Sequence, residues 1–170
     1  MSKRRQPVLP ILPRSLHKGV GWQSQFQRLE RWHQRIMVAN RKDDLTDFLF
    51  TFFQNCYHLR EWMESTAGIP KADLDALFQA NPEMGICRDI CNVTKHFSLS
   101  KPPSQKFEVS FVQEHCPPGH LYFNDGWFGG DARLTVVTDD TNYDVRELAH
   151  RCLEIWKEFL SKREMSEKAF

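Results

Sequence analysis

The sequence predicts a mainly α fold of the α+β type: a bundle of about five helices with a three-stranded antiparallel meander inserted before the last helix. Three observations carry this. From residue 22 to 97 apolar residues recur at spacings of three and four, the mark of amphipathic helices. After the linker Lys101, Pro102, Pro103 and Ser104 the apolar period drops to two, as in strands. From residue 143 the helical period returns.

A chain of 170 residues suits a single domain with its own core. Thirteen Phe and five Trp supply large apolar surfaces to bury, which argues against disorder. The net charge of +1 excludes a general polyanion binder, so any nucleic-acid contact has to come from a local patch. The five cysteines, Cys56, Cys87, Cys91, Cys116 and Cys152, are odd in number and widely scattered, unlike a secreted disulfide framework. Cys87 and Cys91, one helical turn apart, read as small buried residues, and a reducing cytoplasm fits best.

Taken in order, residues 1–20 are basic (Lys3, Arg4, Arg5, Arg14, Lys18) and then apolar. Pro7, Pro10 and Pro13 interrupt them, so they are expected to form an extended arm rather than a leader. Residues 21–163 are expected to be the domain and 164–170 a frayed tail. The first helix spans 22–40, with Trp22, Phe26, Leu29 and Ile36 on one side. The second spans 43–66. Asp43 or Asp44 is its expected cap, and its wide apolar stripe (Leu45, Leu49, Phe52, Cys56, Leu59, Met63) marks it as central. Gly68 and Pro70 should stop it. Ala72–Asn81 is a short helix, and Pro82 opens a fourth that runs to about Phe97. The meander covers 106–139, with strands expected at 106–113, 120–125 and 133–139. Such a sheet needs a partner over one face. The last helix begins after Asp144, which with Glu147 forms a capping-box pattern.

The fourth helix carries the main candidate site. With Ile86, Ile90, Thr94 and Phe97 facing inward, Arg88, Asn92, Lys95 and His96 cluster on the opposite side. Two cations, an amide and an imidazole suit an anion: arginine offers a planar fork to phosphate, and histidine exchanges a proton near neutral pH. A solvated helix face is the simpler reading of the same pattern, although such faces are usually richer in carboxylates than this one, which has only Asp89 at its margin.

These residues also resemble the HEPN superfamily, helical bundles in which an Arg, a polar residue and then a His stand on a late helix. Arg88 and Asp89 match the opening of the motif. His96 follows Arg88 with seven residues between, against the four to six of the family pattern. The resemblance covers 22–99 and 143–163 and leaves the strands unexplained. It implies a metal-independent ribonuclease of RNA-processing or defence type. His96 would be general acid or base, Arg88 would steady the phosphate, Asn92 and Lys95 would assist, and two copies would pair across one cleft. Some members of the superfamily bind RNA or nucleotides without cleaving them.

His58 lies at the edge of the second helix's stripe and reads first as a boundary histidine. Packing of the second helix on the fourth would bring it to the Asn92–His96 region. His115, Cys116 and His120 lack a fourth zinc ligand, and no cofactor or metal is expected. Trp127 and Phe128, in the Gly-rich stretch GWFGGD, are expected to meet a protein partner or a second copy of the chain. A non-enzymatic interaction or nucleic-acid-binding module is therefore the alternative to the ribonuclease. No apolar run approaches the length that spans a bilayer.

Overall fold

The computed structural model describes residues 21–95, 107–113, 132–138 and 141–163. Five helices lie among them: α1 (Trp22–Val38), α2 (Lys42–Ala67), α3 (Lys71–Ala80), α4 (Pro82–Lys95) and α5 (Val145–Ser161). A small antiparallel sheet comes between α4 and α5. It consists of a ladder of β1 (Phe107–Gln113) and β2 (Ala132–Thr138), with the three-residue β3 (Asn142–Asp144) on the free edge of β2.

α2 is the central helix, as its stripe implies. Leu45, Leu49, Phe52, Phe53, Cys56, Leu59 and Met63 are all fully buried. α1, α4 and α5 pack around it, so each of these side chains leaves water on more than one side. Burying such a residue contributes roughly 1.5–3 kcal/mol. The helix ends at Gly68, whose φ of 69° is left-handed and accessible to glycine without a Cβ clash. The backbone N–H groups of Gly68 and Ile69 both donate to the Met63 carbonyl, satisfying the last turn.

At the other end of α2 the expected cap is not formed. The N-cap is Arg41, which makes no side-chain capping bond; Asp43 and Asp44 sit within the first turn, where their charge still favours the positive end of the helix dipole. In α5 the predicted box is half formed. The Asp144 carboxylate accepts from the N–H groups of Arg146 and Glu147 (2.8 and 3.3 Å). The Glu147 side chain instead pairs with Arg151, one turn on.

Polar ties set how the helices cross. On α1, the buried Gln25 donates to the carbonyl and side-chain oxygens of Asn55 on α2 (3.1 and 3.0 Å). Arg146 of α5 donates to the Ala39 carbonyl just past α1 (2.6 Å). Arg60 of α2 pairs with Asp75 of α3, and Arg163, stacked over Phe159, pairs with Asp73. The apolar centre closes on Trp156 of α5, fully buried and edge-on to Phe78 and Phe159.

In the sheet, β1 pairs with β2 from Phe107↔Thr138 to Gln113↔Ala132, and β3 pairs with β2 at Thr135↔Asp144. Leu134 and Val136 of β2 are buried in the helical core, so the bundle covers one face of the sheet. The meander expected over 106–139 took its middle strand from 120–125, which lies outside the described residues. The described edge strand comes instead from 142–144, directly before α5. The arm at 1–20 and the tail at 164–170 also lie outside the described residues.

Candidate functional site

α4 starts at Pro82, where a missing backbone N–H costs nothing in a first turn. It buries more of its circumference than a two-faced helix would. Met84, Ile86, Cys87, Ile90 and Cys91 are buried, and so are the carboxyl-bearing Glu83 and Asp89. Glu83 is answered by Arg151 of α5 (3.1 Å).

Asp89 changes the reading of the polar stripe. The residue expected at its margin is buried and accepts a hydrogen bond from Arg88 Nε through Oδ1 (3.1 Å). The Arg88 side chain is 33 % exposed against 4 % for Asp89. The cation is thus anchored from below by a carboxylate, through Nε, and its two terminal amino groups have no partner among the described residues. Asn92, half-buried, stands one turn further along. Thr94 is tied down: its hydroxyl lies 3.0 Å from the carbonyls of Ile90 and Cys91, and Gln54 of α2 donates to its oxygen (3.4 Å). Val93, 45 % exposed, adds an apolar spot to this side.

α2 and α4 do pack together, through Phe53 and Cys56 at Cys87 and through Gln54 at Thr94. His58, half-buried, lies one turn after Gln54, with its ring centroid 6.4 Å from that of Tyr57. Lys95 ends α4, and its side chain is outside the described residues, as is His96. Also outside are Trp127, Phe128, His115, Cys116 and His120.

Two groupings escaped the sequence reading. His33 of α1 and His150 of α5 face each other with ring centroids 5.5 Å apart, and His33 also lies 6.3 Å from the Phe52 ring. Nε2 of His33 is buried without a hydrogen-bond partner among the described residues. Burial, and then the charges of His150 and Lys157, lower its pKa below the ordinary 6.5, with Glu154 opposing. The second grouping is at the core. Cys56 of α2, Cys87 of α4 and Cys152 of α5 bring their sulfurs within 4.8 Å of one another, all three fully buried. Cys87 and Cys152 lie 3.6 Å from the carbonyls of Phe53 and Glu83. Burial pushes the Cys56 thiol up, but the neighbouring thiols of Cys152 and Cys87 outweigh it and lower the pKa to about 5. Burial raises Cys87 and Cys152 well above the ordinary thiol range. Each sulfur sits on the apolar stripe of its own helix, so the only sequence signal was a small residue where a large one was equally acceptable.

No helix among the described residues is long and apolar enough to cross a membrane. The chain matches no protein-family model, no curated protein and no solved structure.

Proposed function

We propose that the protein is a HEPN-like module that acts on RNA through α4, as a metal-independent endoribonuclease. The supporting observation is the mounting of Arg88. A guanidinium held through Nε by a buried carboxylate keeps its Nη1/Nη2 fork available, and a phosphate can accept from that fork in bidentate fashion. His96 follows Arg88 with seven residues between, one more than the family spacing, so the assignment leans on the mounting of Arg88 and not on the motif.

In this reading Arg88 steadies charge developing on the scissile phosphate, and His96 exchanges a proton with the attacking 2′-hydroxyl or the leaving oxygen. Asn92 and Lys95 hold the backbone on either side, and His58 completes the rim. Pairing of two copies would set two such motifs across one cleft.

The test is incubation of RNA with the purified protein and with an Arg88→Ala/His96→Ala variant whose helical content is verified by circular dichroism. Cleavage by the parent and not by the variant is expected. Equal cleavage by both removes the assignment. Binding without cleavage reduces it to a non-catalytic RNA binder. Neither binding nor cleavage leaves the alternative, a module that meets a protein partner or a second copy through Trp127 and Phe128.

A further inference from the structure

We propose that Cys56, Cys87 and Cys152 form a three-sulfur site for Cu(I) at the centre of the bundle. This is independent of the reading of Arg88.

Three features of the geometry lead there. The sulfurs come from three different helices and converge within 4.8 Å of one another. Three thiolates about 2.3 Å from one ion, a typical metal–thiolate distance, stand roughly 4.0 Å apart in a plane, so closure of less than about 1 Å completes the site. One turn after Cys152 on α5, the indole N–H of Trp156 is a fully buried donor with no hydrogen-bond partner among the described residues. A neutral thiol is a weak acceptor for it, whereas a metal-bound thiolate is a strong one. Negative charge on the neighbouring sulfur cluster would offer this unpartnered donor an acceptor.

Cu(I) fits better than Zn(II). Thiolates favour both ions, but structural zinc takes four ligands, and the cluster offers three among the described residues. On binding, three S–H bonds break, three Cu–S bonds form and three protons leave to solvent, with no electron transferred. The thiol contacts to the Phe53 and Glu83 carbonyls are lost. Both carbonyls lie inside helices, so the backbone ladder keeps them satisfied. Because the site is closed to water, the ion enters as the helices assemble, and its binding energy becomes folding energy.

The full-length protein, reduced and held without oxygen, is titrated with Cu(I) buffered by a competing colorimetric chelator. One copper per chain is expected, with a near-ultraviolet sulfur-to-copper charge-transfer band and a higher melting temperature. Cys56→Ala and Cys152→Ala should each weaken retention by more than about 100-fold, beyond the usual loss from a supporting residue. Cys91→Ala, buried on α4 outside the trio, should bind like the parent. Should the trio variants fail to fold, X-ray absorption of the copper-loaded parent decides. A first shell of three sulfurs supports the site, and any nitrogen or oxygen scatterer there overturns it. No copper retained by the parent, undiminished retention in folded trio variants, or zinc taken up stoichiometrically where Cu(I) is not would each overturn it as well.

Discussion

Cys87 and Arg88 are neighbours on α4 and belong to different worlds. Cys87 is fully buried against α2 and α5, and its sulfur joins two others from elsewhere in the chain. Arg88 keeps a third of its side chain in water, and its nearest ionic partner is the residue next to it. The contrast shows what each kind of site depends on. The sulfur cluster exists only when three helices are packed together. The anchored guanidinium is built almost locally, from one helix and one buried carboxylate.

That difference can be broken or sharpened by substitution. The largest effect is expected on the buried side. Trp156→Ala removes the side chain that fills the space between Phe78, Phe159 and the sulfurs, and should cost about 3–5 kcal/mol in urea unfolding. A loss near that of an exposed residue would mean the cluster is not embedded in a packed centre. On the surface side, Arg88→Ala removes a hydrogen bond from the buried Asp89 carboxylate and should cost about 1–3 kcal/mol. Adding Asp89→Asn should recover part of that loss, because the residue left behind is then neutral. No recovery would show that Asp89 is held by its other surroundings and does not depend on Arg88.

The smallest effect is expected at the α1–α5 seam, where a half-buried group lies between these extremes. His33 has its pKa lowered by burial and by His150 and Lys157, against the opposing charge of Glu154. The folded chain therefore prefers the neutral ring, while the unfolded chain takes up its proton near the ordinary 6.5. Stability from this site is fully present above that value and is lost as the pH falls from there through the lower folded pKa. Urea midpoints measured against pH should decline over that window in the parent and decline less in His33→Gln. Parallel profiles would place the titration elsewhere.

Residues differ sharply in how much of this could be read in advance. The stripe from Leu45 to Met63 was legible because one helix face must be apolar along its whole length, and every predicted member is buried. Gly68 was legible because few residues other than glycine adopt a left-handed turn readily. Asp89 was not. Helical angle alone put it at the edge of a wet face, and only the packing of neighbouring elements decides that it is buried. The sulfur trio was hidden for the same reason at longer range, since no spacing rule joins positions on α2, α4 and α5. The His33–His150 contact likewise needs the crossing of α1 and α5, which Arg146 and Ala39 help to fix. The cap of α2 went to Arg41 rather than an aspartate two or three residues on, a choice that a pattern of apolar positions does not resolve. Of the candidate site, Arg88 and Asn92 stand on the helix the periodicity assigned them to.

The central claim is that Asp89 holds Arg88 with its fork ready for a phosphate. Its most direct test is the affinity of single-stranded RNA for the parent and for Arg88→Ala, measured over a range of salt concentrations. The predicted result is weaker binding by the variant, with a slope of log affinity against log salt shallower by about 0.7, the release expected from one lost phosphate contact on a single strand. Identical slopes and affinities, or no binding by the parent at low salt, would contradict it.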